Sequence, residues 1–263
     1  MKKSQLIYQY IREQGAVSKQ DIVIGLGLSL PTITQNLNNL AELGLIDTSK
    51  KISNTGGRNA TAYSYIEKAR YAVGLYLNRH HINCVAVDLS GNVISLIRVR
   101  ENFDLNDDNY LRKIGETVEE VKKDTGLSDD RFLGVGIAVQ GLISDDGERV
   151  TYGLTLNFTG VTRADIAKYI PYHNRLFHDS AAAGYAEVWD RNDLDDAFYL
   201  SLSNSVGGAV IVANKIFEGE RRKSGEIGHM TIIPKAGDRC YCGQRGCFDT
   251  VCRANVLAEY ADG

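Results

Sequence analysis

Along residues 1–66 the apolar positions fall at helical spacing in three separate runs. Leu6, Ile7, Tyr10 and Ile11 predict a first helix that ends before Gly15. Ser18 is a natural N-cap, with Asp21 standing in for the usual Glu at the third position of a capping box. It opens a second helix that carries Ile22, Val23 and Leu26 and stops around Gly27. Ser29 caps a third helix, Pro31 to about Leu43, with proline tolerated in the first turn. That helix buries Ile33, Leu37 and Leu40 and presents Thr32, Thr34, Gln35, Asn38 and Asn39 on its other side. The period then shortens: Leu45–Asp47 and Tyr63–Ile66 read as the two strands of a hairpin. Its tip runs from Lys50-Lys51 through Gly56-Gly57-Arg58-Asn59 and is basic.

Two helices joined by a tight turn, the second polar and almost uncharged on its open face, describe a helix-turn-helix, and the basic hairpin adds a wing. Gln and Asn can bond adenine edges bidentately, and Thr can bond a base or rest its methyl on thymine. Arg58, between small residues, suits a minor groove. Thr32, Thr34, Gln35, Asn38 and Arg58 are therefore the candidate contacts to double-stranded operator DNA, on a domain spanning residues 1–66. The alternative is a three-helix protein-interaction module with a solvated polar face.

From Tyr71 onward the pattern changes. Tyr71–Leu77, Ile82–Leu89 and Val93–Val99 read as an antiparallel meander turning at Asp88–Asn92. Leu111–Thr125 is an amphipathic helix and Phe132–Val139 a buried strand ending at Gly141. Ala164–Tyr169 is helical, Leu176-Phe177 a short strand, Ser180–Trp189 an alanine-rich helix, and Phe198–Leu202 with Gly208–Val212 another strand pair. Strands and helices in this order predict an α/β body with a mixed sheet over residues 72–263.

Composition adds limits. A chain of 263 residues with 43% hydrophobic and 24% charged residues is ordinary for a soluble globular protein. No apolar run reaches the roughly 18 residues of a membrane span, and the N-terminus lacks a secretory pattern, so the cytoplasm is expected. The net charge of −3 is uneven: residues 1–66 hold seven Lys/Arg against four acids, about +3, leaving about −6 elsewhere. Four of the five cysteines (Cys240, Cys242, Cys247, Cys252) crowd near the end, a spacing that favours a metal over a disulfide framework. His229 with Cys240, Cys242 and Cys247 would satisfy tetrahedral zinc with no open position, the structural pattern. By spacing alone Cys252 rivals His229 as fourth ligand, and free reduced thiols are a further alternative.

The segments Gly136-Ile137-Ala138-Val139-Gln140-Gly141, His178-Asp179-Ser180, Gly225-Glu226-Ile227-Gly228-His229 and Cys240-Tyr241-Cys242-Gly243-Gln244-Arg245-Gly246-Cys247 together resemble the ROK family. The winged head places the resemblance in the repressor branch, the branch of xylose and N-acetylglucosamine repressors. It implies a two-lobed, actin-like (ribonuclease H-like) body of the sugar-kinase type, with lobes over 72–177 and 178–263, and it favours His229 as the fourth zinc ligand. It implies further helices, beyond this chain's end, that complete the second lobe, close the cleft and form a homodimer. The body here is incomplete by that standard.

Carried over position by position, the resemblance implies a sugar site at Asn157, His178, Asp179, Glu226, His229 and Asp249. His178 replaces the family's Asn and Asp249 its Glu. Family kinases also carry an Asp-x-Gly-Gly-Thr-like loop and a Gly-Thr-Gly-x-Gly loop for ATP. Here those positions read Tyr76-Leu77-Asn78-Arg79-His80 and Ser203-Asn204-Ser205-Val206-Gly207. Phosphoryl transfer depends on such phosphate-positioning parts. The expectation is therefore a non-enzymatic, sugar-responsive repressor of carbohydrate-utilisation genes with a small sugar effector. An ATP-dependent sugar kinase with an added head is the alternative, and a DNA-binding head on a poorly folding body a third.

Overall fold

The computed structural model describes residues 2–52, 60–189, 191 and 195–262. The chain forms two compact units, residues 1–71 and 72–263.

The first unit contains α1 (Lys3–Gln14), β1 (Ala16–Val17), α2 (Lys19–Leu26), α3 (Leu30–Glu42), β2 (Ile46–Asp47), β3 (Lys51–Ile52), β4 (Ala60–Thr61) and β5 (Tyr63–Tyr65). The Ser18 box is complete: the Asp21 N–H bonds the Ser18 hydroxyl at 3.2 Å, and the Ser18 N–H bonds the Asp21 carboxylate at 2.8 Å. Gly27 ends α2 in the left-handed conformation, φ 62°, where a side chain is disfavoured. The amphipathic stripes meet in one core of Ile7, Ile11, Ile22, Ile33, Leu37 and Leu40, closed by Val17 and Ile46. β5 pairs antiparallel with both β1 and β2, and β3 pairs with β4 to lengthen the hairpin. The hairpin tip, residues 53–59 with Arg58, lies outside the described residues.

The second unit opens with β6 (Tyr71–Leu77), β7 (His81–Asp88), β8 (Val93–Arg100), α4 (Asp108–Asp124) and β9 (Phe132–Val139). β10 (Leu142–Ile143), β11 (Val150–Tyr152), α5 (Arg163–Ile166), β12 (Asn174–His178) and α6 (Asp179–Val188) follow. β13 (Ala197–Leu202), β14 (Val206–Val212), β15 (Lys215–Phe217), α7 (Asp249–Cys252) and α8 (Ala254–Asp262) end it. The main sheet has the order β12-β9-β6-β7-β8, with β7–β8 antiparallel and β12–β9 parallel. It is mixed, as the strand and helix order predicts. The Asp88 carboxylate turns the chain from β7 into β8 by accepting from the Ser90 and Asn92 N–H groups, each at 2.9 Å. α4 packs on β7 and β8 with Ile114, Val118 and Val121 buried.

A second sheet, β13-β14-β15, is antiparallel throughout and carries α6 on one face. Gly184 lets that helix approach closely: a Cβ there would come within 2.7 Å of the Ala209 methyl. The β10–β11 hairpin, β1 and β15 have no counterpart in the sequence pattern, and α5 is one turn where a longer helix is expected. Because β9 and β12 run parallel from Val135↔Asn174 to Val139↔His178, their carboxyl ends deliver Gln140-Gly141 and His178-Asp179 to the same edge. Ligands of open α/β sheets gather at such an edge.

Candidate functional site

On the first unit the face of α3 away from the core is polar, with Glu42 in the last turn as its one charge. Gln35, Asn38 and Asn39 are exposed, Thr32 and Thr34 half-buried. The Thr32 hydroxyl sits 2.9 Å from that of Ser29, and Asn36 donates to the Thr32 carbonyl at 2.7 Å, so the first two turns are braced by short side chains.

In the second unit His178, Asp179, Glu226 and His229 line one cavity with Gln140, Tyr152, Thr155, Ser205 and Tyr241. His178 stands at the end of β12 and Asp179 opens α6. The His178 Nε2 atom lies 3.7 Å from an Asp179 oxygen and 3.7 Å from a Glu226 oxygen. The His229 Nε2 lies 3.8 Å from the second Glu226 oxygen. Two carboxylates and two imidazoles thus interleave, which suits a ligand rich in hydroxyls. Burial pushes the Asp179 carboxyl above the ordinary carboxylate range, against the pull of His178 and of the Ser180 N–H, which donates to it at 2.7 Å. Gly225 and Gly228 set Glu226 in place, because a Cβ at either would collide with the backbone of β14, at Gly208 and Val206.

Behind Asp179 the side chain of Tyr76 lines a second cavity together with Tyr199 and Ser201. Gln140 Nε2 donates to its phenol oxygen at 3.2 Å, and burial together with Asp179 pushes that phenol up to about 12.

The other nitrogen of His229 faces the cysteines. Its Nδ1 is 3.5 Å from Cys240 Sγ, Cys242 Sγ is 3.7 Å from Cys247 Sγ, and all four ligand atoms lie within 4.8 Å of one another. Zinc with bonds of about 2.3 Å to sulfur and 2.0–2.1 Å to nitrogen sets tetrahedral edges of about 3.8 Å between sulfurs and about 3.5 Å between sulfur and nitrogen. The donor set therefore fits a tetrahedral dication. Burial pushes the Cys240 thiol up to about 12, and a bound dication would be what favours its thiolate form. The loop folds back through Gly243 at φ 93° and Gly246 at φ 70°, where a side chain would also strike the Ile233 carbonyl. Cys252, on α7, is not part of the group.

Two expected sugar contacts stay apart from the cavity wall. Asn157 is exposed in a turn with a left-handed backbone, φ 56°. Asp249 is buried, 1% exposed, and spends one oxygen on the Val206 N–H at 2.7 Å. Its partner is a strand N–H that side-chain spacing does not reveal. Conversely, Tyr152 reaches the wall from β11 and Thr155 from the turn that follows it, neither with a periodic signal in the sequence, and Tyr241 is hidden in a motif dominated by its cysteines.

The ROK family profile matches residues 72–262. The xylose repressor of Bacillus subtilis (strain 168) is 25% identical over 260 residues, covering 97% of this chain and 66% of the repressor. The DNA-binding transcriptional dual regulator NagC of Escherichia coli (strain K12) is 24% identical over 278 residues, covering 97% of this chain and 63% of NagC. The chain thus spans somewhat under two thirds of the length of these relatives. Among solved structures, a ROK family transcriptional regulator described as a homolog of the E. coli MLC protein superposes with a TM-score of 0.79 at 22% identity, over 98% of this chain and 66% of that one. A ROK glucokinase from Streptomyces griseus, solved with glucose and AMPPNP, gives 0.60 at 21% identity over 73% of this chain and 60% of the kinase. With the α/β fold, the cleft and the Cys-rich loop, these matches lead to one conclusion: the chain belongs to the ROK family.

Proposed function

We propose that this chain is a sugar-responsive DNA-binding repressor of carbohydrate-utilisation genes, acting in the cytoplasm as a homodimer on a pseudo-palindromic operator. Residues 1–66 serve as a winged helix-turn-helix, with Thr32, Thr34, Gln35 and Asn38 of α3 reading base edges and Arg58 of the wing entering the minor groove. Residues 72–263 serve as the sensor, in which His178, Asp179, Glu226 and His229 hold a small sugar. Zinc on His229, Cys240, Cys242 and Cys247 supplies structure, pinning the loop beside Glu226. Both repressor relatives, named for xylose repression and for transcriptional regulation, support this role. Among the described residues no helix is long and apolar enough to cross a membrane.

The observation that carries the sensor role is the state of the cleft on the two sides of Asp179. On one side the carboxylates and imidazoles of a polyol site converge. On the other, Tyr76 occupies the position of the family's nucleotide-side acid and is tied to Gln140. The Val206 N–H, in the loop where family kinases hold phosphate, is given to Asp249. Sugar binds and ATP chemistry lacks its positioning parts. A panel of pentoses, hexoses and amino sugars should therefore show binding to the protein by calorimetry and no phosphorylation in a coupled ATP assay. Turnover in that assay would restore the kinase alternative.

A further inference from the structure

Tyr241 lies between Cys240 and Cys242, so its backbone is held on both sides by thiols of the candidate metal centre. Its side chain is on the wall of the cavity that holds Glu226 and is 41% exposed. The ring meets the His229 imidazole edge to face, with centroids 5.0 Å apart and planes at 79°. Thr155 lines the same cavity beside it. Tyr241 brings an aromatic ring to that cavity, and Leu154 continues the apolar wall. The acceptors gather instead at Glu226, His178 and Asp179.

A pyranose whose hydroxyls are all equatorial has a polar rim and two C–H faces, and this wall matches it: acceptors for the rim, an aromatic ring for a face. An axial hydroxyl turned toward the ring would lose water and gain no partner. Resting on the sugar-cleft function above, we propose that Tyr241 is a selectivity residue that packs on the C–H face of an all-equatorial pyranose, held in place by the filled metal centre.

The test uses two C4-epimer pairs, D-glucose with D-galactose and D-xylose with L-arabinose, titrated into the intact protein by calorimetry. In the pair that binds, the all-equatorial member should be favoured by about tenfold or more, and Tyr241→Ala should bring the ratio within about threefold. Tyr241→Phe should keep the ratio, since the ring and not the hydroxyl does the reading. Zinc content, measured on each variant, should be unchanged in Tyr241→Ala, and stripping the metal should reduce the ratio in the unaltered protein. Tyr241→Leu, which keeps bulk without aromaticity, serves if the alanine variant fails to fold and should also level the ratio. A ratio unchanged in a folded, zinc-loaded Tyr241→Ala or Tyr241→Leu overturns the proposal, as does a preference for the axial epimer. Failure of the unaltered protein to bind any of the four sugars would bring down the cleft's function and this proposal with it.

Discussion

Asp179 occupies a place where burial works against its charge, and that tension gives the first prediction. The folded protein holds the Asp179 proton more tightly than the unfolded chain does. Its contribution to stability is therefore greatest in acid and is lost as the pH rises from the ordinary carboxylate range through the raised value. Asp179→Asn should raise the melting temperature at neutral pH, and the gain should vanish in acid. The same substitution should weaken sugar binding by about 1.5–3 kcal/mol, the range for hydrogen bonds to charged groups. A variant less stable at neutral pH would contradict the electrostatic account of this residue. On α3, Gln35→Ala or Asn38→Ala should cost about 1–3 kcal/mol on specific DNA with little change on random DNA, read by titration of both. Equal losses on the two would mark phosphate contacts instead. At this scale the sequence is a good guide to residue type and a poor one to direction. Glu226, His178 and His229 meet in the cavity, whereas Asn157 is exposed in a turn and Asp249 accepts from the Val206 N–H. A left-handed turn and a buried strand N–H decide those two, and neither leaves a mark on spacing.

The elements divide by how local their causes are. The Ser18–Asp21 box is legible because all its atoms lie within four residues, and the structure closes it with a hydroxyl-to-carboxylate bond of 2.7 Å. Ser18→Ala should cost about 1 kcal/mol of stability in denaturant unfolding of the whole chain. β9 is legible because a long apolar run bounded by glycine has few alternatives. By contrast, β1 has two residues and exists only because Ala16 meets Ser64, and β10 has two residues that pair with Tyr152 and Val150. Such strands are products of the tertiary fold and not of local preference. The Cys-rich loop lies between these cases: its glycines and thiols are plain in the sequence, while the choice of His229 over Cys252 needs the folded loop. Elemental analysis should therefore find one zinc per chain in Cys252→Ser and a loss of that zinc in Cys247→Ser. Zinc retained by the Cys247 variant would place the ion elsewhere.

For the whole molecule, the order of strands and helices and four short motifs were enough to indicate the family, because each motif fixes a backbone turn as well as a side chain. The division into a small basic unit and a larger acidic one was likewise visible in the charge along the chain. In the proposed function the two units are joined by linkage: a sugar that weakens operator binding must itself bind more weakly to the DNA-bound form. The direct test is the affinity of the protein for a genomic fragment it captures, measured across pentoses, hexoses and amino sugars. At least one sugar should shift that affinity, and Glu226→Gln should abolish the shift while leaving sugar-free DNA binding intact. An operator affinity that no sugar moves would contradict the account.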